Sequence, residues 1–203
     1  MPNKTLYVGV DDSNHADKVR PAEVILATFS FDHADGCIRE KKIGRKKNHK
    51  ESIGWLKYPQ RDYRFTILTD GKFVHTCYNL PLIVPFLIRD YLKENTEVNN
   101  LEIHLDGAFL PEYKENLVRE MAEFEGRISV SNFVKDKVAT LGRKKKNLCK
   151  YQTRSLLIHH ADALANAISH NFNVPREAEN HVYIPLEQLL QKEKEYASLI
   201  QRV

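Results

Sequence analysis

Leu6-Tyr7-Val8-Gly9-Val10-Asp11-Asp12 decides how this chain is read: an apolar run of strand length that ends on a pair of carboxylates. The run reads as a buried strand, and Gly9 inside it points to close backbone approach or to crowding near a site. A second acidic strand end follows at Leu101-Glu102-Ile103-His104-Leu105-Asp106-Gly107. A third motif, His159-His160-Ala161-Asp162-Ala163-Leu164-Ala165, sets two histidines and an aspartate among small and apolar residues with helical spacing. Each motif is weak by itself. Together they point to a divalent-metal site assembled from separate elements of one fold.

The 203 residues fit one domain, 1–203, with room for a layered core and with 171–203 as a C-terminal extension. An apolar content of 42% and a charged content of 29% are those of an ordinary globule. No apolar run has membrane length, and Met1-Pro2-Asn3-Lys4 leads straight into the first strand with no secretion signal. The three cysteines, Cys37, Cys77 and Cys149, are isolated and form no Cys-x-x-Cys, which argues against a disulfide framework or a zinc knuckle and for a cytoplasmic setting.

Net charge is +4, yet its distribution says more. Arg39–Lys50 and Lys135–Lys150 each hold seven basic residues and one acid, so together they carry +12 and leave −8 for the rest of the chain. Solvated loops often explain such runs. Two of them beside a carboxylate cluster favour a polyanion such as RNA or DNA, with Arg45, Lys46, Lys47, Arg143, Lys144, Lys145 and Lys146 as candidate backbone contacts. Trp55, Tyr58 and Tyr151 lie in or beside these stretches, where they can stack on bases or simply pack loops down.

Strands are expected at 5–10, 23–30, 63–69, 101–105 and 127–134, and helices at 80–94, 111–124, 153–171 and 187–200. Residues 32–60 read as polar, basic and irregular, with a helical turn within 52–58. The order β-β-β-α-β-α-β-loop-α-α implies an α/β fold: a mixed five-stranded sheet, antiparallel early and parallel later, with helices on both faces. The last helix is a candidate for covering the sheet or for a homodimer contact.

In such sheets ligands sit beyond the carboxyl ends of parallel strands, where Asp11 and Asp106 are expected. Asp12 is expected to point elsewhere, to a turn amide or a second metal. On the late helix the buried stripe is expected at 156, 157, 160/161, 164 and 168, with His159, Asp162 and Asn166 on a neighbouring face. Capping carboxylates and a core histidine are the plain alternatives for these residues taken singly. Taken together, Asp11, Asp106, Asp162 and His159 make a site for Mg2+ or Mn2+, zinc being a further fit to the histidine.

The element order and the three motifs resemble the ribonuclease H-like superfamily. Its β-β-β-α-β-α-β-α core places an Asp in strand one, an acid at the end of strand four and an acid on the last core helix. These positions correspond to Asp11, Asp106 and Asp162 here. His159, three residues before Asp162, is similar to the motif of the Holliday-junction resolvase branch, where an acid or a histidine stands at that spacing. Asp106-Gly107 is closer to type 2 ribonucleases H. The chain departs from both. Asp12-Ser13-Asn14-His15 stands where the type 2 enzymes have Glu and a glycine-rich turn, and the resolvase branch has Glu at strand four. No acid stands in the 80–94 helix where type 1 enzymes use Glu, although Asp90 and Glu94 lie further along. The resemblance implies a metal-dependent nuclease acting on RNA, an RNA–DNA hybrid or branched DNA. The alternative is an inactive relative that binds nucleic acid or a protein partner.

Overall fold

The computed structural model describes residues 4–13, 22–43, 62–69, 79–106, 111–133, 139–140, 148–170 and 179–200. Its elements in chain order are β1 (Thr5–Asp12), β2 (Glu23–Ser30), α1 (His33–Gly36), β3 (Ile38–Ile43), β4 (Asp62–Leu68), α2 (Asn79–Leu92) and β5 (Asn100–Asp106). These are followed by α3 (Pro111–Glu120), a 3-10 turn (Ala122–Phe124), β6 (Ile128–Phe133), β7 (Ala139–Thr140), β8 (Leu148–Ser155), α4 (Leu156–His170) and α5 (Leu186–Ile200).

β1 is the centre of a five-stranded sheet of order β4-β2-β1-β5-β6. It pairs antiparallel with β2, which pairs antiparallel with β4, whereas β1–β5 and β5–β6 are parallel. The mixed α/β sheet expected from the order of apolar runs is present. Every residue of β2 is buried, and so are the inner six of β1, because both sheet faces are covered. On one face Leu6, Val8 and Val10 of β1 and Leu101, Ile103 and Leu105 of β5 form a core with Ile83, Leu87 and Ile88 of α2, Leu117 of α3 and Leu189 of α5. On the other, Val24, Leu26, Tyr63 and Phe65 meet Ala161, Ala165 and Ile168 of α4.

The 23–30 strand lies as expected, and α2 runs through Pro85 rather than starting after it. The expected 111–124 helix ends at Glu120 and tightens into the 3-10 turn, after which Gly126 takes a positive φ of 71°. A larger correction concerns the basic stretches. Ile38–Ile43 and Leu148–Ser155 are strands that pair with each other in a second, three-stranded sheet of order β3-β8-β7, not loop and helix start. Their sequences carry too few apolar residues for hydrophobic periodicity to register, and backbone hydrogen bonding specifies the ladder instead. The late helix accordingly begins at Leu156, not Thr153. Arg45–Lys47, Arg143–Lys146 and the 52–58 turn with Trp55 and Tyr58 lie outside the described residues.

The C-terminal extension is part of the sheet's covering. Phe65 donates its amide to the Asn180 carbonyl (3.0 Å) and accepts from the Val182 amide (2.8 Å), so residues 180–182 lie along β4 at the sheet edge. Ile184 and Leu189 then enter the core. Arg64 ties the same corner together from a buried position. It donates to Asp90 (2.8 Å), Glu94 (2.8 Å) and the Asn180 side chain (3.1 Å). Among the described residues no helix is long and apolar enough to cross a membrane.

Candidate metal and phosphate site

The site is built on the side of β1 and β5 that faces α4. A Cβ at Gly9 would lie 2.5 Å from the Ile158 nitrogen and as close to Leu157, so the helix start rests directly on the strand. Thr28 of β2 closes this junction: its hydroxyl donates to the Leu157 carbonyl (2.9 Å) and toward that of Gly9 (3.3 Å). Ser155 stands at the mouth of the helix, its Oγ accepting from the Ile158 amide (3.4 Å). Gly9 therefore serves the close approach that its place in an apolar strand implied.

Side chains alternate along strands, so Tyr7 and Asp11 share the Gly9 side of β1. Leu101, Ile103 and Leu105 belong to the opposite core, which leaves Glu102, His104 and Asp106 on the α4 side of β5. The parallel register pairs Tyr7 with Glu102, Gly9 with His104 and Val10 with Leu105. Asp11 and Asp106 are the next residue on each strand. They stand side by side at the carboxyl ends of the central parallel pair, 2% and 4% exposed. Burying two carboxyl groups on adjacent strands costs free energy, which hydrogen bonds offset in part. One of these is the Asp12 amide donating to Asp11 Oδ1 at 2.8 Å. By the same alternation Asp12 lies on the other side of the strand, as expected.

α4 supplies the remaining candidates. Its buried residues are Leu157, Ile158, His160, Ala161, Ala163, Ala165 and Ile168. The stripe is thus wider than the expected one, and Leu156 and Leu164 are only half-buried. His159, Asp162 and Asn166 share a half-buried flank, and the Asn166 side-chain amide donates to Asp162 Oδ1 (2.7 Å) and to its carbonyl oxygen (2.7 Å). The structure thus sets Asp11 and Asp106 on adjacent parallel strand ends, and carries Asp162 and His159 on the helix packed over β1 and β2 on the same side of the sheet. Among the described residues, no three His, Cys, Asp or Glu side chains are grouped as a metal-ligand set.

Two residues on this face went unassigned in the sequence reading. His104 is 1% exposed, and its Nε2 lies 2.8 Å from Glu102 Oε1. The signal was available: Glu102, His104 and Asp106 alternate along one strand and so must share a face. At the far end of the same face Tyr7 meets His33 Nδ1 through its hydroxyl (2.9 Å). Burial, then the nearby Glu102 and Cys37, push the Tyr7 hydroxyl above its ordinary range.

Asp90 and Glu94, the acids of the 80–94 helix, are both held by Arg64. Burial works to raise the Asp90 carboxyl, but hydrogen bonds and charge from Lys93 and Arg64 outweigh it and hold the group below the usual range. Those two acids belong to the sheet edge.

No family model matches the chain, and no curated protein is significantly similar to it in sequence.

Proposed function

We propose that the chain is a divalent-metal-dependent nuclease of ribonuclease H-like build that hydrolyses phosphodiester bonds in RNA, RNA–DNA hybrid or branched DNA in the cytoplasm. The observation that carries this reading is the buried pair Asp11 and Asp106 at adjacent parallel strand ends, beneath a helix that bears Asp162 and His159. The succession of core elements supports it too. With the second sheet and α1 set aside, β1, β2, β4, α2, β5, α3, β6 and α4 follow in the β-β-β-α-β-α-β-α order of that superfamily.

The donor chemistry fits a hard cation. Aspartate oxygens from Asp11 and Asp106 suit Mg2+ or Mn2+, with Asp162 and His159 as the further ligands that the helix offers. When bound, such an ion polarises a phosphoryl oxygen and lowers the pKa of a coordinated water. The chain's own residues do the rest. Asp11 and Asp106 fix one side of the site on rigid strands, and Asn166 orients the Asp162 carboxylate (2.7 Å). His159, half-buried three residues from Asp162, would ligate the ion or shuttle a proton. Basic residues from the two charged stretches hold the phosphate backbone, which positions the substrate without reading its sequence.

The test is cleavage of labelled RNA, hybrid and four-way-junction substrates with Mg2+ or Mn2+, by the wild type and Asp106→Asn. Cleavage that needs the ion and falls by about 100-fold or more in the variant supports the proposal, that being the usual scale for losing a charge partner of the transition state. Undiminished cleavage by Asp106→Asn overturns the mechanism. Salt-sensitive binding with no cleavage under any of these conditions leaves the binding-module reading in its place.

A further inference from the structure

Along residues 181–184 exposure alternates: His181 and Tyr183 are exposed, Val182 is half-buried and Ile184 is buried. That alternation is the period of an extended segment, and it fits the bonds that lay these residues parallel to β4. Val182 and Ile184 pack into the core on the α2 side of the sheet, so His181 and Tyr183 stand on the α4 side. The His181 ring lies against that of Phe65, with centroids 5.1 Å apart and planes inclined by 34°. Phe65 in turn stacks with Tyr63 at 6.3 Å. Tyr183 is 80% exposed, far beyond Leu186 at 43% and Phe31 at 36%, whose ring carries the Lys4 ammonium at 4.1 Å. A single exposed aromatic is ordinary, whereas two at alternate positions of an extended edge make a row.

We infer that His181 and Tyr183 form a stacking site for unpaired nucleobases, on the sheet face that carries the acids. The inference rests on the nuclease reading for the kind of ligand, and adds a site that grips bases where the acids and cations of that reading engage phosphate alone. Alternate positions on an extended strand are about 6.8 Å apart, twice the rise of about 3.4 Å per base, so the row has room for a base between its rings or against each. Tyrosine and histidine both present a flat π-face with a polar tip, which holds a base by stacking and leaves its edge to hydrogen bonding. The His181 ring is already seated on Phe65, so ordering it on binding costs little. Register ties the row to the acids: Asp11 pairs with Leu26, Leu26 with Phe65 and Phe65 with His181. Three strand spacings of about 4.8 Å set His181 about 14 Å from Asp11 across the sheet, roughly four base rises. α4 covers β1 and β2 on this side, so the row lies past the helix at the sheet's edge. A base held there belongs to a stretch several nucleotides from the phosphate at Asp11. A duplex keeps its base faces inside its own stack, so the row selects a stretch that is unpaired.

The experiment is equilibrium binding of the full chain to single-stranded DNA and RNA of about 12 nucleotides, within the usual range of single-strand site sizes. Each oligonucleotide carries one 2-aminopurine, whose fluorescence falls when it stacks, and EDTA removes cleavage from the readout. The wild type is expected to bind and to quench the probe. Tyr183→Ala and His181→Ala should each weaken binding about 5- to 150-fold, the equivalent of about 1–3 kcal/mol for one stacked base, and relieve the quench. The log–log salt slope should stay that of the wild type, because no phosphate contact is lost. Tyr183→Phe, which keeps the ring, should retain wild-type affinity, whereas Tyr183→Leu, which keeps apolar area alone, should not. Binding of the matching duplex should be unchanged by either alanine substitution, and circular dichroism checks folding. Wild-type affinity and quench in both alanine variants overturn the inference, as do an equal loss on the duplex and the absence of single-strand binding by the wild type. Wild-type binding by Tyr183→Leu overturns it too, and assigns the residue to an apolar protein contact. If the alanine variants bind normally while Asp106→Asn abolishes cleavage, the stacking site falls and the nuclease stands. If they lose binding while the wild type cleaves nothing, the reverse holds.

Discussion

At the scale of single residues, Gly9 and Thr28 set how close α4 comes to the sheet, and so where Asp162 stands relative to Asp11. A methyl at Gly9 meets backbone atoms of Leu157 and Ile158, which cannot swing aside as a long side chain would. Gly9→Ala is therefore expected to destabilise the fold by about 2–3 kcal/mol, the cost of overpacking a filled core. Urea denaturation checks this, and an unchanged midpoint would contradict the close approach. Thr28→Val keeps the shape but strips the donor from the buried Leu157 carbonyl, and should cost about 1–2 kcal/mol in the same measurement. Arg64 is 5% exposed and serves two acids at once, of which Glu94 is mostly exposed and contributes little. Arg64→Ala leaves Asp90 with Lys93 alone and takes the donor from the Asn180 side chain, and should cost about 1–2 kcal/mol. Because the Asp90 carboxyl is held below its unfolded value, its stabilisation is present above the ordinary carboxylate range and is lost as pH falls through the depressed value. Thermal melts from pH 7 down to about pH 3 should show Asp90→Asn losing less stability over the acid limb than the wild type does.

At the scale of elements, legibility in the sequence followed hydrophobic pattern closely. β1, β2, β4 and β5 announce themselves because their apolar runs are buried on both faces, and α2 because its apolar residues recur at spacings of three and four. The same logic placed Asp11 and Asp106 at parallel strand ends before any geometry was known. It failed on β3 and β8. Ile38-Arg39-Glu40-Lys41-Lys42-Ile43 has apolar residues only at its ends, and its pairing is with a strand more than 100 residues later. Local pattern carries no information about a long-range ladder of polar residues. The missed strand also displaced the start of α4 by three positions, from Thr153 to Leu156. His104 was missed for a different reason: a histidine inside a strand reads as core, and only its shared parity with Asp106 marks the face it occupies.

At the scale of the whole molecule, the C-terminal segment completes the fold. Residues 180–182 bond to the β4 edge, Ile184 and Leu189 enter the core, and Lys192 reaches Glu120 of α3 at 2.8 Å. Burial pulls the Lys192 ammonium down, but hydrogen bonds and charge from Glu120 and Glu195 hold it above its ordinary range. Leu189→Ala is expected to cost about 3 kcal/mol, the usual effect of emptying a core leucine site. A wild-type melting temperature in that variant would place the segment outside the cooperative unit. With the extension packed on one face and α4 on the other, both faces carry a core, and α4 brings Asp162 and His159 to the face where Asp11 and Asp106 meet. The central claim is that those strand ends hold a divalent cation, and diffraction from crystals grown with Mn2+, recorded at the manganese absorption edge, tests it most directly. An anomalous peak between the Asp11 and Asp106 carboxylates, about 2.0–2.3 Å from their oxygens as hard cations bind, is the expected result. Manganese bound elsewhere, with none between Asp11 and Asp106 at saturating concentration, would contradict it.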